Sequence, residues 1–435
     1  GRLRFDEGIN ANFDRWHPID TRIFERMTNL QPTFPVLNSD GSYAQLNGTN
    51  TENPVELNTN RTDDKKRHRF LGYLKAELTL LEGLKATTNM SYEQNAVLGG
   101  LYKPTYARME GQGEKGWGQR TYGDYTNRQI EAYLTYDRFF GKDHHLNLMG
   151  GYSYLNNVNE GFGSTRSGFD TNAFGYNNLA SGTDYRQTDV YSYKTEATLV
   201  SFFGRVNYGF MNRYMLTATL RRDGSSRFGD NHKWGTFPSV SVAWRVSDEP
   251  FMQATSGWLG NLKVRFGFGV TGNQNGIGEY KSLSILSASG AAYYDPISKT
   301  WKNAYVQAQN ANPDLKWEST KQWNLGIDFV LFSHLTGTLE LYHKKTSDLL
   351  WTYPVPQPPY LVGTMLANVG DLVNKGVELT LGANILKNRD FSLDANMSLS
   401  YNHQKITKLS NDQYQAVGLQ AGSLHNLRGM SNRYS

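Results

Sequence analysis

The sequence predicts an all-β chain, a transmembrane antiparallel β-barrel with short periplasmic turns and long extracellular loops. Three observations carry this. Apolar residues are only 38% of the 435, yet there are 27 Tyr, 21 Phe, 9 Trp and 43 Gly. No stretch reaches the ~18 consecutive apolar residues of a membrane helix. Instead, two-residue alternation recurs. In the run Leu262–Thr271, Leu262, Val264, Phe266, Phe268 and Val270 share one face, while Lys263, Arg265, Gly267, Gly269 and Thr271 share the other. A polar average built from alternating strands fits a wall with one apolar and one wet face.

Taken in order, the first segment offers one strand, Leu3 to Phe13. Residues 28–66 are polar and rich in turn formers (Pro32, Pro35, Asp40-Gly41, Asn47-Gly48, Asn53-Pro54) and predict a long loop. From Phe70 the strands come in pairs. Leu71–Leu80 turns at Leu81-Glu82-Gly83 into Leu84–Glu93, and a Gly- and Tyr-rich loop follows to about Tyr125. Arg128–Arg138 turns near Gly141 into Leu146–Asn156, followed by a second long loop. Val200–Phe210 turns at Met211-Asn212-Arg213 into Tyr214–Arg222. Ser239–Val246 reaches Leu262–Thr271 through a somewhat longer turn, and a loop of some 45 residues follows. Gln322–Phe332 turns at Ser333-His334 into Gly337–Lys345. A Pro-rich loop then leads to Gly376–Leu386 and Phe391–His403.

About thirteen strands of ~10 residues result, with connections that alternate short and long, and ~10 residues is the length that spans a bilayer when tilted. Aromatics gather at the short turns: Tyr136, Phe139, Phe140, Phe210, Tyr214, Trp244 and Phe332, where an interfacial girdle belongs. The competing reading is a large soluble meander with ordinary surface aromatics. Soluble sandwiches, however, use strands of roughly 5–6 residues and lack a consistently long-looped side. Cysteine is absent, which fits an envelope protein, and the net charge of +5 comes from interspersed basic and acidic residues, so no nucleic-acid footprint is read. Gly1-Arg2-Leu3 begins in what reads as mid-strand without a signal peptide. Residues 1–435 are therefore expected to be one partial barrel domain, a fragment without its plug.

An ordered series of motifs adds a resemblance. It comprises Asp223-Gly224-Ser225-Ser226-Arg227-Phe228-Gly229, Phe237-Pro238-Ser239, Ala243-Trp244-Arg245, Glu249-Pro250-Phe251, Asn312-Pro313-Asp314-Leu315-Lys316-Trp317-Glu318, Tyr342-His343-Lys344-Lys345 and Asn374-Lys375-Gly376-Val377-Glu378. Together they resemble the SusC/RagA family of TonB-dependent outer-membrane transporters of Bacteroidetes, across nearly the whole chain. The resemblance implies a 22-stranded barrel with an N-terminal plug, set in outer-membrane lipid. It also implies a SusD-like lipoprotein lid, and energy from TonB acting through an N-terminal part that this sequence lacks. The cargo it implies is oligosaccharide or peptide, with no catalysis and no cofactor. An adhesin or structural barrel that binds at its loops without transport is the alternative.

Two groups of candidate residues follow. Lys75, Glu77, Lys85, Glu93, Lys263, Arg265, Asp328, Glu340, Glu378 and Asp394 all fall opposite the apolar faces. A charge at the lipid midplane costs ~2–4 kcal/mol, so these are expected to face the lumen, where they line a wet path or pair with a plug. The second group is aromatic and assigned to long loops: Tyr102, Tyr106, Trp117, Tyr122, Tyr125, Tyr293, Tyr294, Trp301, Tyr305, Trp351, Tyr353 and Tyr360. Such rings stack on sugars or peptide side chains, or pack loops together. The Asp223–Gly229 segment reads as a shaped corner more than a ligand loop. Gly267–Gly272 lies in a strand with no helix after it, which excludes a phosphate loop. His144-His145 lacks spaced co-ligands and reads as a solvated turn, not a metal site.

Overall fold

The computed structural model describes residues 2–44, 53–107, 116–184, 186–387 and 389–410. Its strands open with β1 (Leu3–Trp16), β2 (Thr62–Leu81), β3 (Leu84–Lys103), β4 (Trp117–Phe140) and β5 (His144–Phe169). The short β6 (Gly182–Asp184) precedes β7 (Val190–Phe210), β8 (Tyr214–Ser225), β9 (Trp234–Arg245) and β10 (Leu259–Asn273). A hairpin of β11 (Ile285–Asp295) and β12 (Thr300–Gln309) stands apart from the main sheet. The wall then continues with β13 (Glu318–Leu331), β14 (Leu335–Pro354), β15 (Thr364–Lys387) and β16 (Ser392–Lys408). Two helices, α1 (Arg22–Asn29) and α2 (Pro54–Thr59), lie in the connection between β1 and β2.

Thirteen strands form one antiparallel meander, β1-β2-β3-β4-β5-β7-β8-β9-β10-β13-β14-β15-β16, and β6 pairs with β5. Turns at one end are short: Gly83 takes positive φ in one, and the non-glycine residues Met211-Asn212 and Phe332-Ser333 do so in two others. The opposite end carries the longest connections, although the β9–β10 connection at the short-turn end also runs from 246 to 258. None of the helices is long and apolar enough to cross a membrane among the described residues.

Pairing register divides the wall into two faces, with local shifts such as those at Leu259/Asn261 and Thr346/Leu349. One row runs Val264–Ile327–Leu339–Leu379–Leu399 from β10 to β16. It continues the other way through Trp244, Tyr214, Phe210, His144 and Phe140. The neighbouring row, offset by one residue, holds Arg265, Gly326, Glu340, Glu378 and Ser400. Because side chains alternate with period 2, the first set covers the outer face and the second the lumen face. The outer face is a field of exposed apolar side chains, among them Leu78, Leu134, Leu220, Val242, Leu325, Leu341 and Leu399. A soluble protein would bury such a field, which decides against the soluble meander.

The strands exceed the ~10 residues expected from alternation. β4 has 24 residues and β5 has 26. On β8 the outer apolar row ends at Arg222, whose guanidinium lies 5.5 Å over the Trp234 ring. Tyr214 to Arg222 is about 26 Å along the strand, close to a bilayer's apolar height once tilted. Above that level both faces are wet, alternation loses its physical cause, and strands read from sequence as loops. The sequence pattern announces neither helix. α2 is short, and it is capped by Asn53, whose side chain accepts from the Val55 and Glu56 amides. The expected turn at Asn47-Gly48 lies outside the described residues.

Candidate functional site: lumen wall and mouth

The lumen wall carries the charges that strand periodicity places there. Arg265 reaches from β10 across β13 to β14. Its guanidinium donates to Asp328 at 2.8 and 3.0 Å and to Glu340 Oε1 at 2.8 Å. Thr338 Oγ1 donates to the same Asp328 at 3.1 Å. The intervening row position is Gly326, and an added Cβ there would sit 2.9 Å from Arg265 Cζ. Glycine is thus what lets one arginine bridge two carboxylates. This region lines a shallow recess of about 360 Å³ with Lys263, Thr217 and Asn324. Lys85 donates to Glu77 at 2.9 Å, and Arg69 pairs with Glu93 at 2.7 Å. Lys75, Lys263, Glu378 and Asp394 form no ion pair among the described residues.

At the loop end, three segments knot together over the lumen face. Phe228, Ile277, Leu315 and Trp317 are buried as one cluster, with Phe237 and Leu366 against it. The Trp317 ring lies 4.5 Å from Phe228 and 5.4 Å edge-on from Phe237. The backbone is stitched as well. The Gly229 amide donates to the Leu315 carbonyl at 2.9 Å, and Trp317 Nε1 to the Lys233 carbonyl at 3.1 Å. Asn312 Nδ2 donates to the Leu366 carbonyl at 2.8 Å, and Asn368 Oδ1 accepts from the Lys316 amide at 2.9 Å. A Cβ on Gly229 would overlap the Pro313 carbonyl. Arg227 donates to Glu279 at 2.8 Å. The Asp223–Gly229 segment is therefore a packed corner with its polar groups turned inward.

The aromatic candidates separate. Tyr102, Trp117, Tyr122, Tyr125, Trp351 and Tyr353 lie on strands, not loops, because β3, β4 and β14 continue past the membrane level. Tyr102 is buried against Phe169 at 5.4 Å and donates to Asn172 Oδ1 at 2.9 Å. Tyr122 packs on Phe162 at 5.5 Å and donates to Asp124 at 3.1 Å, in an outer-face row. Tyr353 is fully buried with Met365, Ala367 and Val369, and Tyr360 leans on that cluster. These four are packing residues. Trp117 and Tyr125 stand in lumen-face rows; Lys103 sits 5.3 Å over the Trp117 ring and Tyr125 donates to Asn157 at 3.0 Å. Trp351 is half-exposed on the outer-face row of Ala367. Tyr106 is exposed in a turn. Tyr293, Tyr294, Trp301 and Tyr305 are exposed together on the β11–β12 hairpin, with Tyr294 and Trp301 in edge contact at 5.6 Å.

At the short-turn end, rings stack in a ladder: Phe210–Tyr214 at 6.1 Å and Tyr214–Trp244 at 6.4 Å. Glu249 ties it off, accepting from the Tyr214 hydroxyl at 2.5 Å and Trp244 Nε1 at 2.9 Å. Those hydrogen bonds hold the Glu249 carboxyl below its ordinary range. His144 and His145 open β5 and are engaged, not merely solvated. His144 contacts the Tyr208 hydroxyl at 2.7 Å, and His145 stacks on Phe139 at 4.2 Å. No metal-ligand cluster occurs among the described residues.

Residues 8–429 match the family model described as TonB dependent receptor-like, beta-barrel. The chain belongs to that family. TonB-dependent receptor P3 of Formosa agariphila is 37% identical over 382 residues, covering 87% of this chain and 37% of the relative. TonB-dependent receptor SusC of Bacteroides thetaiotaomicron is 38% identical over 235 residues, 53% of this chain and 23% of the relative. The RagAB peptide importer in its closed-closed state superposes with a TM-score of 0.79 at 21% identity, over 94% of this chain and 45% of that one, and so shares the fold. The chain thus spans well under half the length of the relatives it matches. It is part of an outer-membrane β-barrel of Bacteroidetes type, SusC-like in sequence, and its outer apolar face meets lipid.

Proposed function

We propose that this chain supplies most of the wall of a TonB-dependent importer that takes oligosaccharides or peptides across the outer membrane. The observation that supports it most is the division of thirteen strands into an apolar outer face and a charged lumen face. In this reading the Arg265–Asp328–Glu340 bridge stiffens the wet wall. Lys75, Lys263, Glu378 and Asp394 face a plug that closes the barrel, and TonB acts on that plug through the N-terminal part. The exposed aromatics of the β11–β12 hairpin meet a SusD-like lipoprotein lid or the cargo beneath it. Trp117 and Tyr125 are the wall aromatics best placed to touch cargo on its way in. The role is transport, and no reaction is assigned.

The test is uptake by the parent organism. Fluorescent oligosaccharide and peptide pools should accumulate in cells carrying the gene, and accumulation should stop when either the gene or TonB is deleted. Surface binding that persists without TonB, with no accumulation in either strain, would replace import by adhesion.

A further inference from the structure

Above its apolar band, the outer face of β13 to β16 turns basic over two adjacent rows. Trp323, His343, Lys375 and His403 lie in one row; Lys321, Lys345, Val373 and Lys405 lie in the next, toward the loops. Both rows share the parity of Leu325, Leu341, Val377 and Tyr401, so their side chains leave the lipid-side face of the wall. All six basic residues are exposed. Lys345 has Asp371 at 3.5 Å, and Lys321, Lys375 and Lys405 have no carboxylate in ion-pair range among the described residues. The outer face of β4 to β7 carries both signs, with Arg120, Arg128 and Arg166 beside its acids. There Asp124 lies opposite Glu160, Glu160 pairs with Lys194 at 3.2 Å, and Glu196 follows. On β13 to β16 the two rows hold four lysines and two histidines and no carboxylate.

The level of the basic rows is defined by the strands that carry them. The four lysines sit ten to thirteen residues from the short-turn ends of β13 to β16. At a tilt of about 40° that is about 25–33 Å up the wall, where hydrocarbon gives way to headgroups. Trp323 and Tyr401, 48% and 68% exposed, stand just beneath or beside the basic rows, as interfacial aromatics do. Lysine stems can lie on the apolar surface while the ammonium groups enter the headgroup layer. With strands about 4.8 Å apart and successive outward residues about 6.6 Å apart, the lysines share a field of about 14 by 7 Å. Such a field has the width for more than one phosphate on a single headgroup.

We propose that this patch binds the phosphate-bearing headgroup of a glycolipid in the outer leaflet. The apolar band below it takes the acyl chains, and the ammonium groups take the phosphates, so one lipid is held by both parts of a continuous surface. The inference rests on the outer-membrane placement of the band and is independent of import.

The test uses the full-length protein that contains this chain, in phosphatidylcholine nanodiscs with a minor fraction of lipid A or of its dephosphorylated form. Native mass spectrometry reads which lipid stays bound. Lipid A should be retained over the dephosphorylated form. Replacing Lys321, Lys345, Lys375 and Lys405 by Gln should lower retention about fivefold per lysine, and replacing all four by Arg should preserve it. If the fourfold Gln variant fails to fold, judged by heat-modifiable gel mobility, the K375Q/K405Q double variant should still show a loss of about 25-fold by the same arithmetic. Equal retention of the two lipids, or unchanged retention in a folded Gln variant, would overturn the assignment. Release of lipid A by inorganic phosphate at matching concentration would assign the patch to a free anion and overturn it as well.

Discussion

Leu325 and Asn324 are consecutive on β13, and the two-faced wall gives them opposite fates. Leu325 lies in the outer row between Phe266 and Leu341, 40% exposed, while Asn324 lies in the lumen row between Gly267 and Tyr342. Leu325 is six residues from Leu331 at the short-turn end, about 15 Å up a tilted strand and near the middle of a ~25 Å band. Leu325→Lys places an ammonium at that depth and should destabilise the folded barrel by ~2–4 kcal/mol. At ~1.4 kcal/mol per tenfold, the folding equilibrium falls by between tens and several hundredfold. Asn324→Lys adds the same charge 3.3 Å along the chain, on the wet side, and should cost under ~1 kcal/mol. The assay is reversible folding of the full-length protein into lipid vesicles across a guanidinium series, read by tryptophan fluorescence. Equal costs for the two variants, or a larger cost for Asn324→Lys, would refute the assignment of the faces.

Gly326→Ala should push Arg265 off Glu340, because the new Cβ occupies the space the guanidinium crosses; thermal unfolding should show a loss of ~1–2 kcal/mol, matched by Arg265→Ala and not additive with it. Gly229→Ala should loosen the mouth by ~1–3 kcal/mol through overlap with the Pro313 carbonyl, with faster protease nicking around Trp317, whereas Gly276→Ala, which meets nothing within 4 Å, should be silent. Asp20 has its pKa lowered from 3.8 to about 2, chiefly by hydrogen bonding from Arg22 with Arg61 adding charge. A depressed carboxyl stabilises the fold above its unfolded pKa and loses that contribution as pH falls through the folded one, so proteolytic protection of the loop carrying α1 should fade between about pH 4 and 2 in the parent chain and be pH-independent in Asp20→Asn.

What could be read from sequence follows the physics of each region. Lipid enforces alternation, so Leu262 to Val270, Leu71 to Leu80 and the row through Val377 and Leu379 were legible as strands with a lumen side. The charged residues Lys263, Arg265, Asp328 and Glu340 lie opposite the apolar rows for the same reason, although nothing in their spacing shows that one arginine bridges two of the others. That contact is made across three strands and depends on Gly326. Above the membrane both faces are wet, so the upper parts of β3, β4 and β5 read as Gly- and Tyr-rich loops and Tyr102 and Tyr122 as loop aromatics, although they pack on Phe169 and Phe162. The mouth cluster joins Phe228, Ile277, Leu315 and Trp317 from separate connections. No periodic pattern announces such a meeting, yet each of Phe228, Leu315 and Trp317 sits in a motif that carried the family resemblance.

The strands also differ in height, and that shapes the approach to the barrel. β7 has 21 residues and β14 has 20, but β8, β9, β10 and β13 have only 12, 12, 15 and 14. β7 leaves the register of β8 at Leu199 and runs on to Val190, nine residues farther, or about 30 Å along the strand. The rim is therefore a parapet with one lowered section. The Phe228–Trp317 cluster belongs to the connections that spring from this lowered section, so the low sill is the part of the rim with its own hydrophobic lintel. An arriving molecule meets an oblique entrance, tall on the β2 to β7 side and low at β8 to β13, where the threshold is built of loops instead of sheet.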